Sequence, residues 1–214
     1  MSDEIEAGGY HWQEQARVER TAEFSTERAA GFRQLMEHLP DSHEVPIRFV
    51  DLGAGDGIVA SIVLSEYPFA VADLVDFSES MIEAGRRKMQ EFSGRYRYVI
   101  WDMNDGPWPD DLCGPFDAAV SSAAIHHLAN DRKRWLASEI FERLVPRGVF
   151  YNFDLFRNAD AVFGPDDVHG ATCASVEEAT SFLVEAGFAE VELDAATSRT
   201  QHQAVLAVMS GCRP

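Results

Sequence analysis

A short apolar run, Ile47-Arg-Phe-Val-Asp-Leu52, breaks into glycines at alternate positions, Gly53, Gly55 and Gly57, and is followed at once by a helix-like segment from Ile58 to Glu66. This strand-glycine-helix step constrains the fold more than any other feature of the chain. A strand buried on both faces reaches a parallel neighbour only through a crossover long enough to hold a helix. The step recurs. Val71 to Val75 reads as a second strand, Tyr96 to Trp101 as a third, Phe116 to Ser121 as a fourth and Val149 to Phe153 as a fifth. Ser78 or Ser80 caps the next helix, with Ser80 and Glu83 forming an S-x-x-E capping box, and another helix runs from Asp131 to Leu144. Ser175 and Glu178 make a second box, opening a helix that Gly187 closes. Two last strands, near Ala189 to Leu193 and Gln203 to Met209, are joined too tightly for a crossover and should run antiparallel. The reading is α/β, a mainly parallel sheet covered on both faces.

Composition bounds what such a sheet can serve. The 214 residues, 46% apolar and 25% charged, suit one globular unit that needs neither metal nor disulfides to supply a core. Cys113, Cys173 and Cys212 are odd in number and widely spaced, so they read as reduced thiols and imply a cytoplasmic location. Asp3, Glu4 and Glu6 stand where a secretory signal places positive charge, and no run approaches a membrane span, so no membrane partner is expected. With 36 acidic against 18 basic residues the net charge is -18, a repulsive field for polyphosphate that argues against nucleic acid as partner.

In a doubly wound sheet the ligand lies across the carboxyl ends of the strands, beside the first. The residues there are Asp51-Leu-Gly53-Ala54-Gly55-Asp-Gly57. A nicotinamide fingerprint wants G-x-G-x-x-G, and Ile58 stands where its third glycine should be, which makes a dehydrogenase a distant reading. Asp76 ends the second strand, where a carboxylate suits a ribose diol, and Asp102 ends the third. Taken singly, Asp51 or Asp56 reads as a helix cap and Met81 as core filler. Their joint order at successive strand ends carries the signal.

With these motifs the chain resembles the class I S-adenosylmethionine-dependent methyltransferases, motif by motif over Ile47 to Phe153 and as a pattern of elements to Met209. The resemblance implies a Rossmann-like seven-stranded sheet of order 3-2-1-4-5-7-6 with strand 7 antiparallel, spanning residues 46–214. An N-terminal helical cap over residues 1–45 would include the apolar face Phe32, Leu35, Met36 and Leu39. It further implies that Asp51, Gly53, Ala54 and Gly55 line the methionine end of S-adenosylmethionine and that Asp76 holds the ribose. Phe77 and Met81 would sandwich the adenine, Asp102 and the Met103 N–H would read its amino edge, and Ser122 and Ala123 would pass beside the sulfonium. One departure is Arg147-Gly148 where the family has a glycine pair.

The fourth strand exits into Ser121-Ser-Ala-Ala-Ile-His126-His127-Leu128. The N/D-P-P-Y/F signature of amino-DNA methyltransferases is missing, and although Asn152 and Asp154 follow the next strand, Ser121 and Ser122 are no metal ligands, so no metal is expected. The exit resembles the small-molecule branch. Either histidine suits a general base, and adjacent residues do not both face one site; the resemblance, in which the equivalent loop position points at the acceptor, implies His126 for the acceptor and leaves His127 to packing or capping. The alternative, that neither is chemical, stands beside it. Tyr10, His11 and Trp12, with Phe163 and His169 in the connection after the fifth strand, are candidates for the walls of a pocket for a small substrate. The expected activity is methyl transfer to a small molecule, at O or N more than at C or S. The competing class is a non-catalytic S-adenosylmethionine-binding partner or regulatory module, and a homodimer is compatible with either.

Overall fold

A computed structural model describes residues 35–39, 43–157, 172–194, 200–201 and 204–214. Strands β1 (Arg48–Leu52), β2 (Val71–Asp76), β3 (Tyr96–Ile100), β4 (Phe116–Ser122) and β5 (Leu144–Arg157) are joined by helices α1 (Ile58–Glu66) after β1, α2 (Glu79–Lys88) after β2 and α3 (Asn130–Arg143) after β4, and by a loop from β3 to β4. After α4 (Val176–Ala186) come β6 (Ala189–Asp194), the two-residue β7 (Thr200–Gln201) and β8 (Ala204–Cys212). The sheet order is β3-β2-β1-β4-β5-β8-β6, with β7 paired to β8. β1 to β5 pair in parallel, Phe49 lying between Ala72 on one side and Ala118 on the other, while β8 runs antiparallel to both β5 and β6. This is the expected seven-strand order, with β8 in the seventh place and β7 as a short addition.

Each face of the sheet buries its own core. Val59, Ala60, Val63 and Leu64 recur at helical spacing on α1 and meet Phe49, Tyr151 and Phe153 on one face. On the other face Leu136 and Ile140 of α3, with Phe182 and Leu183 of α4, meet Phe150 and Phe156. The strict alternation of β5 is why Phe150, Asn152, Asp154 and Phe156 share the α3–α4 side whereas Tyr151 and Phe153 face α1. Among the described residues no helix is long and apolar enough to cross a membrane.

One open choice is settled and two local expectations, the Ser80–Glu83 box and the start of the fifth strand, are corrected. Ser78, not Ser80, caps α2: Asp76 accepts the Ser78 N–H at 2.8 Å and fixes that residue at the helix mouth, where its hydroxyl receives the Met81 N–H. Glu83 therefore pairs with Arg87, one turn on, instead of closing a box. β5 is longer than its apolar run, beginning at Leu144 directly where α3 ends, with Arg147 at φ 66 carrying the turn before Gly148. The Ser175–Glu178 box is present, and Gly187 ends α4 in the left-handed region at φ 108. Of the expected N-terminal cap, residues 35–38 are helical, with Leu35 and Leu39 buried in the α1-side core. Tyr10, His11, Trp12, Phe32, Phe163 and His169 lie outside the described residues.

Candidate active site

The order reverses between β1 and β4, so the crevice for a ligand opens above their carboxyl ends. β1 delivers the glycine turn there. The N–H groups of Gly53 and Ala54 both donate to the Val75 carbonyl, at 2.9 and 2.8 Å, which binds the turn to the end of β2. Gly53 sits at φ 73, and a Cβ there would lie 2.3 Å from the Ala124 Cβ, so the turn touches the exit of β4 at a point only glycine permits. Asp51, one residue before the strand's end, is fully buried. It does not cap α1, whose N-cap Gly57 has no side-chain bond, and Asp56 pairs with Lys88 at 3.2 Å instead.

Asp76 closes the second side. One carboxylate oxygen accepts the Gly55 N–H at 2.7 Å and the other the Ser78 N–H at 2.8 Å. Burial raises its pKa against the lowering pull of the Ser78, Gly55 and Phe77 N–H groups. The Met81 methyl lies 3.2 Å from where a Gly55 Cβ would stand, and the Met103 methyl 3.5 Å from the same point on Gly53. Gly53, Gly55, Asp76, Met81, Met103 and Ala124 thus converge. Phe77 stands at the rim, 40% exposed, and Asp102 is exposed with its carboxylate accepting the Asn104 N–H at 2.8 Å.

The third side is the exit of β4. Ser121 donates to the Leu52 carbonyl at 2.8 Å, and the buried Ser122 hydroxyl has no hydrogen-bond partner among the described residues. Ala123 is held at φ 54 by its N–H bond to the Phe153 carbonyl, a left-handed alanine of the kind that persists at functional turns. His126 and His127 follow in a short 3-10 turn. His126 is 3% exposed, with its backbone N–H 2.9 Å from Asp154 Oδ2 and its ring Nδ1 bonded to Asp154 Oδ1. His127 is half-buried, and its ring centroid lies 3.7 Å from that of His126, so adjacent histidines do share one place.

Three residues organise these loops in ways the sequence reading did not assign, having weighed Asp154 only as a metal ligand and given no role to Lys133 or Arg132. Asp154 is one; burial pushes its pKa up, but the His126 charge and hydrogen bond, the Leu155 N–H and His127 prevail and hold it below the usual carboxylate range. Lys133, 7% exposed, donates to the carbonyls of His126, Leu128 and Thr172, and burial lowers its pKa. Arg132 donates to the carbonyls of Met103 and Gly106 while lying 3.7 Å over the Trp135 ring. A signal existed for Asp154 alone, a charge within an apolar strand.

Comparison with known proteins agrees with this geometry. Residues 50–150 match a family model described as a methyltransferase domain. A demethylmenaquinone methyltransferase of Clavibacter sepedonicus is 34% identical over 101 residues, covering 47% of this chain and 38% of that one. A malonyl-[acyl-carrier protein] O-methyltransferase of Halorhodospira halophila is 31% identical over 136 residues, 64% of this chain and 41% of that one. The chain spans from 34% to 45% of the length of the curated relatives it matches. Among solved structures, the phosphoethanolamine N-methyltransferase 2 of Haemonchus contortus with S-adenosyl-L-methionine superposes with a TM-score of 0.70 at 15% identity, over 87% of this chain and 52% of that one.

Proposed function

We propose that this chain, whose residues 50–150 match a methyltransferase domain, is a class I S-adenosylmethionine-dependent methyltransferase that transfers the methyl group to the oxygen or nitrogen of a small, dissolved acceptor in the cytoplasm. The observation that carries this reading is the cradle of Gly53, Gly55 and Asp76 at the switch point of the sheet.

The residues present fit the cofactor. A carboxylate offers about four lone-pair sites. Asp76 uses some of these on the Gly55 and Ser78 N–H groups, with Phe77 N–H also acting on it, and keeps accepting capacity for a ribose hydroxyl. Met81 and Phe77 would flank the adenine, and Asp102 and Met103 would meet its edge. Asp51, Gly53 and Ala54, with the unpartnered hydroxyl of Ser122 and the Ala123 backbone, would hold the methionine end. When bound, S-adenosylmethionine supplies a methyl group already activated on a sulfonium. What the chain adds is placement of the acceptor in line with that methyl, exclusion of water, and a histidine to take a proton.

The test is calorimetric titration with S-adenosylmethionine and with nicotinamide dinucleotides, followed by transfer of labelled methyl to small phenols, amines and carboxylic acids. Binding of the first alone, with turnover, is expected; binding without any turnover would assign a cofactor-binding module instead. Asp76→Ala should weaken S-adenosylmethionine by about 1.5–3 kcal/mol, the worth of hydrogen bonds to a charged group. Unchanged affinity would remove Asp76 from the site.

A further inference from the structure

The two histidines after β4 differ in what holds them. A single carboxylate grips His126 twice, Asp154 accepting its backbone N–H through one oxygen and meeting its ring Nδ1 with the other. Asp154 also accepts the Leu155 N–H at 2.9 Å, and it lines a cavity with Lys133 and Asn152 among mostly apolar neighbours such as Ile125, Phe150, Phe156 and Phe182. A buried charge in such surroundings is expensive and contributes less to stability than an apolar side chain of its size. Its oxygens nonetheless fix one imidazole in place and, through Nδ1, in one tautomer. The loop is held from the other side by Lys133, which donates to the carbonyls of His126 and Leu128. The half-buried His127 ring rests on this fixed platform, centroid to centroid 3.7 Å and tilted 40°.

We propose that His127 is the general base of the methyl transfer and that Asp154 and His126 are its positioning residues, which makes the acceptor a protic nucleophile, a hydroxyl or an ammonium group. The inference rests on the methyltransferase reading above. In the step itself an ammonium acceptor first gives up its proton, a hydroxyl gives it up as it attacks, and the acceptor's lone pair bonds the methyl carbon as the carbon–sulfur bond breaks and its electron pair stays on sulfur. The acceptor's proton passes to the His127 imidazole. Asp154, whose charge is felt by both rings, stabilises the imidazolium that forms. The buried platform keeps the outer ring from turning away, and a displacement of one ångström costs a reaction of this kind heavily.

Two measurements on the full chain test it. In the first, imidazole nitrogens of the 15N-histidine-labelled protein are followed by NMR with S-adenosylhomocysteine present. His126 should keep an Nδ1-bound proton at low field across neutral pH, and Asp154→Asn should abolish it while Asp154→Glu retains it; a His126 carrying its proton on Nε2 overturns the platform. In the second, single-turnover transfer to phenols and primary amines is measured at saturating cofactor. His127→Asn should lower the rate by roughly 10²–10⁴-fold at unchanged cofactor affinity. His126→Asn should lower it less and shift the pH profile. A wild-type rate in His127→Asn, or a larger loss in His126→Asn than in His127→Asn, overturns the assignment. Failure of the methyltransferase reading would look different: no S-adenosylmethionine bound by the wild type, with the histidine tautomers still on record from the first measurement.

Discussion

Two glycines four residues apart illustrate how one residue type serves two ends. Gly57 and Gly53 both lie in the left-handed region, at φ 77 and φ 73, which costs an alanine about 1–2 kcal/mol. Their neighbours decide the rest. A Cβ on Gly57 would meet Met89 Sδ at 2.1 Å, the flexible part of a side chain that can swing aside, whereas on Gly53 it would meet the Cβ of Ala124, which moves only with its backbone. Gly57→Ala should therefore lose about 1–2 kcal/mol in urea denaturation and keep its cofactor affinity. Gly53→Ala should displace the β4 exit and lose affinity as well, and equal affinities in the two variants would contradict this division. Asp154 gives a pH prediction of definite sign. Its folded pKa lies below the unfolded value of about 3.9, so its stabilising contribution is fully present above that pH and is lost as pH falls through the folded value. Asp154→Asn, which leaves the buried His126 without its carboxylate acceptor, should be less stable at pH 7 by about 1–3 kcal/mol, the cost of unsatisfied buried hydrogen-bonding groups. The gap to wild type should narrow below pH ~4, as urea titrations at several pH values would reveal; a gap that widens in acid has the wrong sign.

At the scale of elements, α3 does more than cover the sheet. Adjacent residues of its first turn reach in opposite directions, Arg132 to the carbonyls of the loop after β3 and Lys133 to those of the loop after β4. One helix thereby ties the loop bearing Asp102 and Met103 to the loop bearing the histidines. Lys133→Met leaves three carbonyl groups without their donor, and an unsatisfied buried group costs about 1–3 kcal/mol. Faster amide exchange is expected at 126–128 and 172–174, with β1 unaffected; unchanged protection there would show the clamp to be redundant. These links explain what was legible beforehand. Element limits follow from periodicity and glycine punctuation, so the expected α1 agrees to the residue and β1 to β4 to within one, whereas the strand order comes from the family resemblance. The Ser175–Glu178 box was legible because both its halves are local, whereas the choice of Ser78 over Ser80 depended on Asp76, a partner from another element. Gly53, Gly55 and Asp76 were legible at strand ends and Met81 and Met103 through the family resemblance, and the five converge beyond the ends of β1, β2 and β3. The depth of His126 depended on Asp154, 28 residues away, and on which face of β5 that carboxylate occupies, and neither is written in the local pattern around the histidines.

For the molecule as a whole the governing quantity is the net charge of -18. Exposed pairs such as Arg87–Glu83 and Arg134–Glu185 offset little of it, each being worth at most about 1 kcal/mol in water. The summed field extends about 10 Å at 0.1 M salt and acts on whatever approaches the crevice. DNA and RNA should be repelled, so bulk nucleic acid should neither bind nor receive labelled methyl at moderate salt; transfer dependent on Asp51 would contradict that. The same field treats substrate and product of the proposed reaction differently. S-adenosylmethionine bears a sulfonium, an ammonium and a carboxylate, one net positive charge, whereas S-adenosylhomocysteine has lost the sulfonium and is neutral overall. Attraction to an acidic protein therefore favours the cofactor that arrives over the product that must leave. Short-range contacts of the two are nearly identical, so their difference in salt response isolates the field. Raising NaCl from 20 to 500 mM shortens the screening length from about 20 Å to about 4 Å and should weaken S-adenosylmethionine severalfold while leaving S-adenosylhomocysteine nearly unchanged. Paired calorimetric titrations at the two salt concentrations read this directly. Parallel weakening of both ligands would mean that salt acts on the fold or on the shared carboxylate and ammonium ends, and that the acidic surface plays no part in selecting the charged cofactor.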